Sequence, residues 1–169
     1  MAILEILEYP EGFLSRPVLP VTDINGDLQQ KIDDMAQTMY HAPGVGLAAS
    51  QVGINQCILV YDVSPRDDKH ALHVLINPRI VCQEGEFLSE NEGCLSIPDY
   101  RSDVVRFSRI QVEGVDREGK PLSFDAEGYM AVVLQHEIDH LRGILFIDRI
   151  SPLKRNLYKK RIKKRLKQS

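Results

Sequence analysis

Tryptophan is absent from the 169 residues, cysteine occurs three times, and aromatic side chains make up only 7 % of the chain. Cys57, Cys82 and Cys94 are an odd number at wide spacing. That argues against a disulfide framework and leaves any special cysteine as a ligand or a nucleophile. No stretch of about eighteen apolar residues occurs, so no segment reads as a membrane span. The start, Met1-Ala2-Ile3-Leu4-Glu5, carries acid early and lacks a basic residue followed by an apolar run. A secretory signal is therefore not expected, and the cytoplasm is the expected compartment. Repeats and low-complexity linkers are also missing. The 43 % apolar and 27 % charged composition is that of a globular protein of one domain.

Acid is missing from the end of the chain. All 24 Asp and Glu lie at or before Asp148, whereas nine of the 21 Lys and Arg fall between Lys154 and Lys167. A net-acidic body thus carries a basic tail, which suggests one task in the body and one docking contact. The expected organisation is a catalytic domain over 1–152 with a basic C-terminal helix over 153–169 as its appendix. Ser151-Pro152 marks the start of that helix, Ser as cap and Pro in the first turn. Leu153, Leu157, Ile162 and Leu166 read as its apolar stripe.

Asn25-Gly26 reads as a turn and Asp27 as the cap of a first helix, with Gln30 as its reciprocal partner. Leu28, Ile32, Met35, Ala36 and Met39 give that helix a buried face, and Pro43-Gly44 ends it. Strands are expected at 57–63, 72–80, 86–89, 103–115 and 122–126, with a hairpin turn at Glu118-Gly119. Residues 127–142 are helix formers closed by Gly143. This order predicts an α+β fold, with mostly antiparallel sheets packed around a central helix, an N-terminal helix and the basic C-terminal one.

The sharpest motif is His136-Glu137-Ile138-Asp139-His140. Positions i and i+4 share a helix face, so two imidazoles can reach one metal ion while Glu137 stays free to handle a proton. In peptidases built on this motif the third ligand lies downstream. Gly143 matches their glycine, but Phe146 stands where their third histidine would be. The upstream candidate is Cys94 in Glu92-Gly93-Cys94-Leu95-Ser96, since thiolate binds iron or zinc well. Cys57 and Cys82 read as small buried hydrophobes, and His41, His70 and His73 as exposed. Asp139 either orients an imidazole or pairs with Arg106. The loop Gly44-Val45-Gly46-Leu47-Ala48-Ala49-Ser50-Gln51 superficially fits a dinucleotide pattern, but a helix precedes it where a strand should. It reads better as a loop whose small residues admit a peptide backbone, with Gln51 aiming an amide at a substrate oxygen.

These three segments together resemble the motifs of the peptide deformylases, in order and spacing, and the resemblance spans nearly the whole chain. The basic C-terminal helix is similar to that of the Gram-negative bacterial form. The resemblance implies a hydrolase that removes the formyl group from the N-terminal formyl-methionine of new polypeptides, releasing formate. It implies Cys94, His136 and His140 as ligands of one divalent metal, Fe2+ in the cell, with Zn2+, Ni2+ or Co2+ acceptable in the purified protein. It also implies Gln51 and the Leu95 N–H as oxyanion donors beside Glu137 as the base. Val45, Gly46, Tyr129, Val132 and Val133 are expected around the substrate, and Arg101 at its backbone carbonyls or in a surface salt bridge. Expected partners are the formylated nascent chain and, through the basic helix, ribosomal RNA rather than a membrane; a monomer is the expected state. Two other classes compete: a peptidase cutting internal bonds, and an RNA-binding module with a structural metal.

Overall fold

The computed structural model describes residues 2–65 and 67–168; Ser169, the end of the expected basic helix, lies outside them. Among the described residues, helix α1 spans Gly26–His41, α2 Gly128–Leu141 and α3 Pro152–Lys167. Strands β1 (Gly46–Ala48), β2 (Ile58–Tyr61), β3 (His73–Glu84), β6 (Arg109–Val115) and β7 (Pro121–Glu127) form one antiparallel sheet in the order β1-β2-β3-β6-β7. A two-stranded sheet pairs β4 (Phe87–Cys94) with β5 (Ile97–Arg106). The α+β expectation holds. Among the described residues, no helix is long and apolar enough to cross a membrane.

Helix α2 is central because it is buried nearly all round: every residue from Ala131 to Leu141 except His136 is below one-tenth exposed. It packs against β1, β2, β6 and β7. Helix α1 begins earlier than its sequence suggests. Asn25, not Asp27, is the cap, its side chain accepting from Leu28 N–H at 2.9 Å. Asp27 instead pairs with Lys31, and Gln30 donates to Asp34. The five expected apolar residues of α1 are all buried.

Strand limits shift where polar side chains take over backbone bonding. The stretch expected as one strand over 103–115 breaks at Phe107-Ser108, where the chain leaves the small sheet for the large one. Gln135 on α2 receives the Phe107 N–H and donates to its carbonyl, at 3.0 and 2.9 Å, and so stands in for a strand partner. Strand β4 runs past its expected end at Ser89 because Asn91 enters the left-handed region (φ 57°) in a register shift between Ser89 and Glu92. Simple alternation from buried Ser89 would turn Glu92 outward; the extra residue turns it inward. The loop expected at 44–51 contains a short strand, β1, and a 3-10 turn over Ala49–Val52. Cys82 is exposed, not buried, on the far end of β3.

Helix α3 starts at the expected cap, Ser151 accepting from Lys154 N–H. Its buried face differs from the expected stripe. Tyr158 and Ile162 are 2 % and 6 % exposed, whereas Leu153, Leu157 and Leu166 are more than half exposed. The Tyr158 ring lies 4.6 Å from that of Tyr100 and 5.7 Å from that of Tyr9, and a second core with Phe146 and Ile97 forms beneath. Two aromatic neighbours draw Tyr158 inward, and the adjacent Leu157 must then face out. Ile162→Ala should destabilise the fold by about 2–5 kcal/mol, and Leu157→Ala by less than about 0.5 kcal/mol. Chemical denaturation of both variants checks this.

Candidate metal centre and substrate cavity

Helix α2 carries His136 and His140 one turn apart, and the end of β4 carries Cys94. The Cys94 sulfur and one nitrogen of each ring lie within 4.8 Å of one another. His140 Nε2 is 3.1 Å from His136 Nε2 and 3.2 Å from the sulfur. Two nitrogens and a sulfur sharing one tetrahedral ion at ordinary bond lengths would stand about 3.3–3.6 Å apart, so the donor set fits a single metal.

The electrostatics agree. Burial alone would lower the pKa of His136, yet the Cys94 sulfur and the Glu92 and Glu137 carboxylates raise it well above the ordinary histidine value. Burial, together with the charges of His136 and Arg106, lowers that of His140. The buried ring pair therefore favours one protonated imidazole over two. Gln51 Nε2 (3.6 Å) and Ser96 N–H (3.4 Å) both point donors at the Cys94 sulfur.

Glu137 is 5 % exposed, and its Oε2 is buried without a hydrogen-bonding partner. Burial lifts its pKa to about 7 against the pull of His136 and Arg106. Its carboxylate lies against Gly46, where an added Cβ would meet the Glu137 side chain at 2.9–3.1 Å. Gly46 therefore serves the base directly. Gly46→Ala should lower turnover about 10²-fold by displacing the carboxylate; steady-state kinetics at unchanged metal content checks this.

Behind the ligands lies a buried charge network. Glu92 sits 3.5 Å from His136 Nδ1, which turns Nε2 toward the metal position. Glu92 also accepts two hydrogen bonds from Arg106, at 2.9 and 2.8 Å. Burial pushes Glu92 up, but the hydrogen bonds from Arg106 and His136 and the charge of Arg106 pull its pKa down to about 2. Of the two readings of Asp139, pairing with Arg106 is the one found, at 3.0 Å, and Arg149 joins from outside. Ser50, which carries no evident chemistry in the sequence, donates from its hydroxyl to the His140 carbonyl at 3.0 Å. Glu92, Ser96, Arg106 and Ser50 were not legible as site residues. Their signals were membership of the sequence motifs for Glu92, Ser96 and Ser50, and the expected pairing with Asp139 for Arg106.

A cavity of about 720 Å³ opens above the centre. Val45, Gly46, Gln51, Cys94, Leu95, Arg101, Tyr129, Val132, Val133, His136 and Glu137 all line it. Val132 and Val133 are buried, while Tyr129 stands 60 % exposed at the rim. Arg101 lies over Gly93, donates to the Asn91 carbonyl and forms no ion pair among the described residues. The Leu95 N–H, in the turn between β4 and β5, has no acceptor among the described residues. His41, His70 and His73 are exposed as expected, His70 stacked on Tyr40 and His73 on Tyr61.

A structural metal site presents four protein ligands. Three donors beneath an open cavity, with a carboxylate beside them, define a centre of the hydrolytic mononuclear-metal class. The model of the polypeptide deformylase family matches residues 3–156. A peptide deformylase of Desulfosudis oleivorans is 56 % identical over 169 residues, covering 100 % of this chain and 98 % of its own. One of Thermodesulfovibrio yellowstonii is 53 % identical over 163 residues, covering 96 % and 98 %. The crystal structure of the Legionella pneumophila peptide deformylase superposes with a TM-score of 0.89 at 43 % identity, covering 98 % of this chain and 96 % of that one. The chain belongs to the peptide deformylase family and is a hydrolase acting on formyl-peptides.

Proposed function

We propose that the enzyme removes the formyl group from the N-terminal formyl-methionine of nascent chains in the cytoplasm, as a monomer, with Fe2+ held by Cys94, His136 and His140. The convergence of those three donors beside a buried Glu137, with Cys94, His136 and Glu137 lining the cavity, carries the reading. A divalent cation bound there would acidify a water and polarise the formyl carbonyl. Glu137 takes the proton from the attacking water and delivers it to the leaving amine; its pKa of about 7 suits both transfers. The Leu95 N–H is free to meet the developing oxyanion. Gln51 meets it with the hydrogen now directed along its long 3.6 Å contact to sulfur. Val45, Val132, Val133 and Tyr129 wall the slot for the methionine side chain, and Arg101 grips the peptide backbone.

Fe2+ in the cell follows from the family resemblance. The same thiolate and imidazoles accept Zn2+, Ni2+ or Co2+, and inherent affinity favours zinc. Formate release from a formyl-Met peptide, set against cleavage of an N-blocked internal substrate, tests the activity. Release from the first and none from the second is expected, and the reverse would favour the peptidase reading.

The outer face of α3 docks on ribosomal RNA. Lys159, Lys160, Lys163 and Lys164 are all exposed, while Tyr158 and Ile162 belong to the core. Deleting the helix would therefore confound docking with stability. Changing those four lysines to Glu should abolish salt-sensitive ribosome binding and leave hydrolysis of a short peptide unchanged. Unaltered sedimentation with ribosomes would refute docking.

A further inference from the structure

Residues 2–9 belong to no helix or strand, yet their amides are used. Ala2 N–H donates to Asp34 and Leu4 N–H to Thr38, at 2.7 and 2.8 Å, which fixes the segment to α1. Further on, Leu7 N–H donates to the carbonyl of Gln51 at 2.7 Å and Tyr9 N–H to the carbonyl of Ser96 at 2.8 Å. Amides two residues apart in extended chain point to one side, so a single short segment can reach both. Gln51 and Ser96 also touch each other, Nε2 to Oγ at 3.2 Å. The three bonds close a ring that ties the 3-10 turn after β1 to the turn between β4 and β5.

Both tied segments need such support. Gln51 sits in a four-residue 3-10 turn, and Leu95-Ser96 is a turn between strands. Neither residue lies within a sheet ladder. The segment that ties them is itself anchored in both cores, Leu4 in the main one and Leu7 and Tyr9 in the second. We infer that residues 7–9 are a positioning strap whose Leu7 and Tyr9 amides hold Gln51 and the Cys94–Ser96 turn at the spacing that oxyanion stabilisation requires. The inference rests on the proposed roles of Gln51 and Leu95. Leu7 and Tyr9 are positioning residues and touch no reacting atom.

The test replaces single backbone amides by esters, which deletes the N–H and keeps the side chain. Esters at Leu7 and at Tyr9 should each lower kcat about tenfold with KM within about twofold and metal content unchanged, since a misplacement of 1 Å costs about 10²-fold. An ester at Glu8, whose N–H has no partner among the described residues, should leave kcat alone. Esters at Leu7 and Tyr9 that lower the melting temperature and leave kcat unchanged would overturn the strap. Gln51→Ala separates the two claims: if it leaves kcat intact, the oxyanion reading falls. If it lowers kcat while the esters do not, the strap alone falls.

Discussion

Glu137→Gln is expected to keep one metal ion per chain and to lose turnover by about 10²–10⁴. Gln matches Glu in shape, so the contact with Gly46 survives, and so does the packing of a helix that is buried at nearly every position. The variant loses the ability to take a proton and return it. KM should change little, because neither substrate walls nor metal ligands are touched. Single-turnover kinetics on metal-quantified protein reads the effect. Turnover above about a tenth of the parent value would remove Glu137 from the role of base and leave the cation and its water to act alone.

Arg106→Met is expected to be the most destabilising single change in the molecule outside its hydrophobic cores, at about 3–5 kcal/mol. The guanidinium is 2 % exposed and lies between Glu92, 7 % exposed, and Asp139, 10 % exposed. Its removal leaves Glu92 buried with only His136 beside it, while Asp139 keeps Arg149. Typical domains are stable by about 5–15 kcal/mol, so the loss is a large share of the whole. Urea denaturation compares it with Arg149→Met, where the lost side chain is 41 % exposed and the cost should be about 1 kcal/mol. Equal costs for the two would mean that the pair Glu92–Arg106 contributes nothing beyond a surface bridge. The network also explains why Glu92 precedes Cys94 at this distance: a bulge in β4 turns one residue to the charge network and the next-but-one to the metal.

The parts of the site carried by regular periodicity were legible in the sequence. The spacing of His136 and His140 is a statement about helix geometry, and after Gly128 residues 129–142 contain no glycine or proline to break the helix. Cys94 could be picked out because thiolate chemistry and a neighbouring Gly set it apart from Cys57. What could not be read depends on strand register. Asn91 and Gly93 look like strand breakers, yet the strand absorbs them as bulges. Phe107-Ser108 looks like continuous strand, yet Gln135 from a distant helix takes its backbone bonds. Arg106 and Glu92 meet only because β4 pairs with β5 in that shifted register. The buried face of α3 failed for a similar reason. Both Leu157 and Tyr158 fit a helical period, and the aromatic surface that selects Tyr158 is assembled from three separate parts of the chain. Gly46 lines the cavity, and its missing side chain also leaves room for the Glu137 carboxylate, a contact that no spacing in the sequence announces.

One sulfur and two imidazole nitrogens should share a single cation, with a position left for solvent. X-ray absorption spectroscopy of the anaerobically purified, metal-loaded enzyme tests it most directly. The zinc form should show one sulfur at about 2.3 Å, two imidazole nitrogens at about 2.0–2.1 Å and one light oxygen scatterer from solvent. A first shell without sulfur, or one filled by four protein donors, would contradict it.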